Sequence, residues 1–409
     1  MTKPLDGIRV IEWAAFHNGP AAGYMLGDLG AEVIKIEEPI KGDPSRGMTQ
    51  MFGESMVLDG GRLVGFEFAN RNKKSITVNL KSEAGRQIIY KLIEKEDIFY
   101  TNYYRDGILH ELKMDYETLS KYNPKLIYAI NSGYGLEGPV NNERAFDTIG
   151  QARSGLMWSV GDRDQNEPYQ TVSAPCDQVG ATMLAYSLLA ALVARERQGI
   201  GQEIEVSLLG SAIHMQGIGM NMNLLRHRSY SRHSRQRARN PMANHYRCAD
   251  NKWIMLAEPQ SDRFWGQFCR IMGLEHMEED PRFATALNRR ENFVECNDAV
   301  SKAFATRSRD EWLPYFKDKG AEFAHSPIYD YSDVAEDPQA LANDYITKYD
   351  HPALGTVKMV GMPAKFSKTP IGIQCEAPEL GQHTEEVLLD LLDMSWEEIA
   401  NLKEQGDIG

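Results

Sequence analysis

The sequence predicts an α/β fold: a doubly wound, mostly parallel sheet domain joined to a smaller α+β domain. Three observations carry that expectation. Short apolar runs rich in β-branched residues alternate with helical stretches through the first half of the chain, as crossover-connected parallel strands require. The texture changes at the polar, arginine-rich "RHRSYSRHSRQRARNP". Beyond it come a hairpin-like segment and amphipathic helices instead of further alternation.

In chain order, strands of the sheet are expected at "IRVIEWA", "EVIKIEE", "SITVNL", "DIFYTNY", "LIYAIN" and "QEIEVSL". The stretch "SEAGRQIIYKLIEKED" lies between the third and fourth, and there Ile88, Ile89, Leu92 and Ile93 share one helical face. A long apolar helix, from about Gln178 to Gln198, precedes the sixth strand, and another carrying Met215, Met220 and Met222 follows it. Those methionines read first as core and second as the lining of an adaptable apolar pocket. The small domain is expected to hold the hairpin "HYRCADNKWIMLAE" and the helices "SDRFWGQFCRIMG" and "RSRDEWLPYFKDKG". Strand-like "LGTVKMVG" and the helical tail "TEEVLLDLLDMSWEEIANLKEQ" close the chain. The boundaries are therefore 1–225 for the first part of the large domain, 226–330 for the small domain, and 331–409 for a return segment with C-terminal helices.

Composition narrows the class of protein. A chain of 409 residues, 42% hydrophobic and 25% charged, has the length for two or three domains with a real core. A net charge of −13 argues against a dedicated nucleic-acid binder. Cys176, Cys248, Cys269, Cys296 and Cys375 are odd in number and lack a C-x-x-C spacing, which fits reduced thiols and no metal framework. Lys3 and Asp6 stand near the N-terminus without an apolar run, so no signal peptide is expected. The longest apolar stretch, "LLAALVA", is too short to span a bilayer. The expectation is a cytoplasmic globular protein with no nucleic-acid or membrane partner.

The first strand runs into "AFHNGPAAG", and the second ends on Glu37. A dinucleotide fingerprint needs three glycines at such a turn so that backbone amides can approach a pyrophosphate. Here one glycine stands at the turn, followed by Pro20, which has no N–H to give. Gly23, Gly27 and Gly30 come later, where close helix–sheet packing and a helix end explain them better. Glu37 matches a ribose-binding acid in position only. The Rossmann-like geometry is expected; the dinucleotide is not.

The N-terminal stretch "PLDGIRVIEWAAFHNGPAAGYMLGDLGAEVIKIEEPIKGDPSRG" resembles that of the class III CoA-transferases, the formyl-CoA transferase and carnitine CoA-transferase family. "NRNKKSITVNLKSEAGR", "NPKLIYAINSGYGLEGP", "FDTIGQARSGLM" and "GIGQEIEVSL" follow in family order, so the likeness covers nearly the whole chain. It implies a large CoA-binding domain, chains interlocked as a homodimer, and coenzyme A moved from an acyl-CoA donor to a free carboxylic acid. Acyl-CoA is then a substrate, with no tightly bound cofactor and no metal.

That reaction needs a carboxylate nucleophile that attacks the thioester and keeps its free energy in an anhydride. Asp177, directly before the long apolar helix, falls on the family's catalytic aspartate. By itself an Asp there reads as an N-cap, and a helix N-terminus would also keep the carboxylate ionised. Cys176 beside it lacks a His or Asn/Asp partner pattern for thiol chemistry. His17 and Asn18 follow the first strand, where ligands gather in open α/β sheets. The family's residue at His17 contacts the reacting acyl group, and a His can donate to a developing oxyanion, which makes it a second catalytic candidate. The family's preceding His is Ala15 here.

The resemblance also supplies the CoA contacts. Asn102 and Tyr103 match an Asn-Phe pair near the adenine, and Lys81 and Arg144 match basic positions for the phosphates, with Asn79 beside Lys81. Two family arginines are replaced, one by Glu38 and one by His110 or Glu111. The arginine run Arg226, Arg228, Arg232, Arg235, Arg237 and Arg239, with Tyr230 interleaved, reads as a solvated linker and second as a contact for CoA phosphates or an acidic substrate. "NPMANHY" stands where formyl-CoA transferase has a glycine run over its active site, which points to acids larger than oxalate.

Three other readings compete. An α-methylacyl-CoA racemase of the same fold would carry a base His where this chain has Phe146, which moves no proton. A dinucleotide-dependent oxidoreductase and a non-catalytic CoA-binding protein are the others.

Overall fold

The computed structural model describes residues 2–104 and 107–409. Among them, six parallel strands form the main sheet: β1 (Arg9–Trp13), β2 (Glu32–Glu37), β3 (Lys73–Thr77), β4 (Ile98–Thr101), β5 (Ile127–Ser132) and β6 (Gln202–Ser207). Their spatial order is β3-β2-β1-β4-β5-β6, and every neighbouring pair is parallel. These are the six strands expected from the sequence. The order reverses between β1 and β4, so a crevice opens beyond the carboxyl ends of those two strands.

Alternation along each strand sends side chains to two helical layers. On one face Val10, Val33, Ile98 and Ile127 pack with Leu26 of α1 (Asn18–Asp28) and Leu184 and Leu188 of α5 (Pro175–Gln198). On the other, Ile11, Ile34, Phe99 and Tyr128 pack with Ile89 and Leu92 of α3 (Glu83–Ile93) and with Val387 and Ile399 from the C-terminal helices. Burial on both faces is why the strands read as near-continuous apolar runs. Between β2 and β3 lies α2 (Val64–Asn70), and before α5 lies α4 (Asp147–Arg153).

By length and composition α5 is apolar enough to cross a membrane, although Leu184, Leu188 and Leu192 bury it in the core of the sheet. It begins earlier than the sequence suggested, because Pro175 presets the first turn and Ala174 turns the chain at φ 48°. The methionine-bearing segment is two helices, α6 (Leu208–Met215) and α7 (Gly217–Arg226), and its reading as core does not hold. No residue of α7 is buried, and Ile218 and Leu225 are 82% and 78% exposed.

The chain divides into two compact units: Met1–Met157 with Gln170–Ser229 and Leu341–Gly409, and Trp158–Tyr169 with Tyr230–Ala340. The second unit holds a three-stranded antiparallel sheet of β7 (His245–Arg247), β8 (Trp253–Leu256) and β9 (His325–Ile328), with β8 central. Its core includes Trp265, Phe268, Phe304, Trp312 and Phe316 from the helices α8 (Asp262–Met272), α9 (Phe293–Phe304) and α10 (Arg309–Asp318). In the first unit, "LGTVKMVG" pairs as β11 (Gly355–Val360) with β10 (Ile346–His351), a strand the sequence reading missed. The helical tail breaks at Asp393, φ 53°, into α11 (Thr384–Leu392) and α12 (Trp396–Glu404), and Ser395 and Glu398 form a capping box for the second.

At the opposite edge of the sheet from the crevice, Glu96 is 2% exposed and neither carboxylate oxygen has a hydrogen-bond partner among the described residues. Burial pushes its carboxyl up to about 8; Arg9, 4.0 Å away, opposes this, and Glu32 and Asp97 add to it. The folded chain therefore keeps a proton that the unfolded chain has lost between about pH 4.5 and 8, so stability falls as pH rises through that window. Glu96→Gln should flatten this dependence. The variant is expected to be more stable than the native chain by at least ~1 kcal/mol at pH 8.5, with the difference shrinking toward pH 4.5, in urea melts at both pH values.

Candidate active site at the carboxyl edge of the sheet

Parallel topology brings the loops after β1, β3, β4 and β5, and the start of α5, to one edge of the sheet. The loop after β1 is held there by its neighbours. The Asn102 amide accepts from the Ala15 N–H at 2.9 Å and donates to the Ala15 carbonyl at 2.8 Å. Asn102, expected at the adenine, therefore has its amide engaged with the loop backbone. Beside it the Tyr103 ring lies 5.0 Å from that of Trp13, and burial pushes its hydroxyl up to about 12.

Under α1 the chain carries buried charge. Glu12 is ion-paired with both Lys35 and Lys73, and Tyr100 donates to it. A Cβ on Gly23 would collide with the Glu12 carboxylate and the Tyr100 hydroxyl, so this glycine lets α1 pass over the buried acid. Gly30, at φ 104°, turns the chain after the helix. Glu37 accepts from Arg46 (2.8 and 2.7 Å), from the Ser75 hydroxyl and from the Asp43 N–H. It is buried and fully engaged, and therefore not free to bind a ribose.

His17 occupies the cap position of α1 and points across to α5. Its Nε2 lies 3.1 Å from the Gln178 Oε1, and its ring stacks on Phe68 of α2 at 5.6 Å. Burial holds the imidazole below its ordinary value, against the Gln178 hydrogen bond and the charge of Asp147, so it is neutral at pH 7. Asn18 is buried; its Oδ1 accepts from Asn131 at the end of β5, and it packs where a side chain on Gly180 of α5 would clash.

Asp177 is in the first turn of α5, but it is not the cap. Asp147, from α4, reaches across: its Oδ1 accepts from the Cys176 N–H at 2.7 Å and the Asp177 N–H at 3.1 Å, and its Oδ2 accepts from Gln151. The carboxylate of Asp177 is thereby left without a hydrogen bond among the described residues. The expectation that the helix end keeps it well ionised is also corrected. Burial first, and the charge of Asp147 second, push its carboxyl up to about 7. The same causes, with Asp177's own charge, push the Cys176 thiol up to about 12, where no thiolate forms at neutral pH.

The remaining positions lie on the same edge but stand apart. Asn79 accepts from the Lys81 N–H at 3.1 Å in the loop after β3, and Lys81 is exposed. Arg144 is exposed between β5 and α4, its carbonyl accepting from Tyr134. No hydrogen bond or ion pair joins either side chain to the His17–Gln178 pair among the described residues. Glu38 folds back on the N–H groups of Ile40 and Lys41, and His110 lies 3.4 Å from Asp115. Asp147, Gln178 and Phe68 were not singled out from the sequence. Asp147 lay inside the quoted "FDTIG" and Gln178 beside Asp177, whereas nothing marked Phe68.

The carboxylate of Asp177, without a hydrogen bond among the described residues, thus stands near His17 and Gln178 at the carboxyl edge of the parallel sheet. Residues 5–384 match CoA-transferase family III, and the chain belongs to that family: it is an acyl-CoA:carboxylate CoA-transferase. It is 34% identical over 404 residues to the (R)-2-hydroxy-4-methylpentanoate CoA-transferase of Clostridioides difficile, covering 98% of each chain. It is 31% identical to the cinnamoyl-CoA:phenyllactate CoA-transferase of Clostridium sporogenes, covering 100% of this chain and 98% of that one. A crystal structure of a CaiB/BaiF family protein from Brucella suis is similar over 96% of this chain and 100% of its own, with 28% identity and a TM-score of 0.84.

The electrostatics of the site can be tested without turnover. Carboxyl carbon NMR should place the Asp177 midpoint near pH 7 in the native chain, and at a lower pH in Asp147→Asn, where the like charge is gone. An unmoved midpoint in that variant would show that Asp147 does not act on Asp177.

Proposed function

We propose that CoA transfer in this chain runs through Asp177. Its carboxylate attacks the carbonyl carbon of the donor thioester, the C–S bond breaks, and a mixed anhydride forms as CoA thiolate leaves. The thiolate then attacks the aspartyl carbonyl, releases the donor acid and leaves an aspartyl thioester. The acceptor carboxylate repeats the two steps in reverse order, and Asp177 is regenerated without water or ATP. The observation that carries this reading is the free carboxylate of Asp177, whose helix end is capped by another residue. A midpoint near 7 supports it too, because the raised proton affinity makes the ionised carboxylate a stronger nucleophile while half of it is still ionised at neutral pH. The transfer rate should rise with pH through that midpoint.

His17 is the residue that meets the reacting acyl group in this reading: its ring is neutral and held by Gln178, and its N–H must leave the Gln178 Oε1 to donate to the oxyanion. In this reading Asn18 lines the same pocket. Asn102 and Tyr103 border the adenine, while Asn79, Lys81 and Arg144 meet the phosphates as CoA arrives. Segments 1–225 and 331–409 form the CoA-binding domain of a cytoplasmic enzyme, and 226–330 forms the small domain.

Asp177→Asn and Asp177→Ala should lower transfer by at least ~10³-fold, while Cys176→Ser keeps most activity. Incubation with acetyl-CoA, succinyl-CoA or cinnamoyl-CoA, followed by hydroxylamine and peptide mapping, should mark Asp177. A mark on Cys176, or undiminished transfer by Asp177→Ala, would end this mechanism.

We further infer an interlocked homodimer that accepts bulky acids. The exposed apolar side chains of Ile218, Leu224 and Leu225 support the dimer, since a free monomer would leave them in water. Two relatives named for branched and aromatic acids support the acceptor class. Sedimentation at nanomolar concentration should find no folded monomer, and the same three donors offered a panel of acids should favour branched or aromatic acceptors over oxalate. Reversible monomers, or a preference for oxalate, would count against these points.

A further inference from the structure

Phe16 is held at φ 64°, in the left-handed backbone region that a bulky L-residue avoids. The residue is 40% exposed, so burial does not explain the conformation. The backbone around it is tied residue by residue instead. Lys35 Nζ donates to the Ala14 carbonyl at 2.7 Å, Asn102 holds both polar groups of Ala15, and the Phe16 N–H donates to Asp43 Oδ1 at 3.1 Å.

Asp43 is 1% exposed and is itself fixed. Its Oδ1 also accepts from the N–H and hydroxyl of Ser45, its Oδ2 lies 2.9 Å from Lys35 Nζ, and its own N–H donates to Glu37 at 2.9 Å. Strain in a bulky residue persists only where the surroundings over-determine it, and it collects at functional sites. Here the left-handed residue turns the chain out of β1, so that the next two residues, His17 and Asn18, enter α1 facing Gln178 and Asn131.

We propose that Asp43 is a positioning residue for CoA transfer, holding Phe16 in its left-handed backbone and thereby setting the direction of His17. The proposal rests on the reading above that the loop after β1 belongs to the reacting site. Asp43 is buried, and its bond to the Phe16 N–H is the one by which it acts on the loop. The tie from Asn102 does not depend on it, and Lys35 keeps Glu12 and the Ala14 carbonyl when it loses Asp43, so removal of Asp43 releases Phe16 while Ala15 stays held.

The test is steady-state transfer by Asp43→Ala, Phe16→Gly, the double variant and His17→Ala, with the donor and acid that the panel above selects and a thermal melt of each. Asp43→Ala is expected to lower kcat by about tenfold, the population cost of an untied left-handed residue, with a smaller change in KM for the acyl-CoA. Adding Phe16→Gly should restore most of that loss, because glycine takes the same backbone without a tie. A role confined to general stability would not give this rescue, and losses that simply multiply in the double variant would overturn the proposal. A native rate in His17→Ala would overturn both the proposal and the reading of the site beneath it, whereas a slow His17→Ala without rescue overturns the proposal alone. If Asp43→Ala does not fold, position 16 decides: Phe16→Asn, which tolerates left-handed backbone, should exceed Phe16→Val in kcat, and the reverse order would overturn the proposal.

Discussion

The buried ion cluster at the base of the crevice is the constraint on which the site depends. Lys35 has no access to water, and an ammonium there persists only with matched partners. Burial pulls its proton affinity down, but Asp43 and Glu12 more than offset this and keep it charged. Lys73, sharing Glu12, is pushed down to about 8 by burial and by the charge of Lys35, which outweigh the attraction of Glu12. Two lysines and two acids thus lock β1, β2 and β3 to the turn beneath the crevice. The same ammonium groups also hold backbone carbonyls, Lys35 that of Ala14 and Lys73 that of Pro20. Charge satisfaction and loop placement are therefore one requirement here.

A second competition sets the chemistry. The macrodipole of α5 favours an anion at its first turn by ~0.3–1 kcal/mol. A carboxyl moved from 3.8 to about 7 corresponds to roughly 4 kcal/mol in the opposite direction. Burial and the nearby Asp147 therefore win over the helix end. Asp147 contributes twice: it takes the amides that would otherwise bind Asp177, and its charge raises the proton affinity of the carboxyl it has freed. An aspartate that accepted those amides itself would be held ionised to a lower pH.

The sheet was legible because its strands are buried on both faces, which leaves runs such as "EVIKIEE" that little else explains. Asp177 was singled out by position and resemblance. Asp147 was not, because it is 30 residues away and nothing local marks its reach to the α5 amides, and neither was Phe68, which meets His17 from another helix. The segment with Met215 was misjudged for a related reason. Apolar periodicity marks a face that avoids water, without saying whether the chain's own core covers it. In α7 that core does not.

What the sequence by itself determined is the set of quantities fixed by neighbours in the chain. These are the alternation of strand and helix, the departure of "AFHNGPAAG" from a three-glycine fingerprint, and the turn that Pro175 sets before α5. Only the tertiary structure decided which carboxylates are free and which are engaged. Glu37, Asp43, Asp147 and Asp177 are alike on the page. Arg46 and Ser75 occupy the first, Lys35 and the Phe16 amide the second, and the α5 amides the third, while the fourth is left open. Reactivity here is a matter of which hydrogen-bond donors and charges lie within about 3 Å, and that distance is set by packing between segments far apart in the chain.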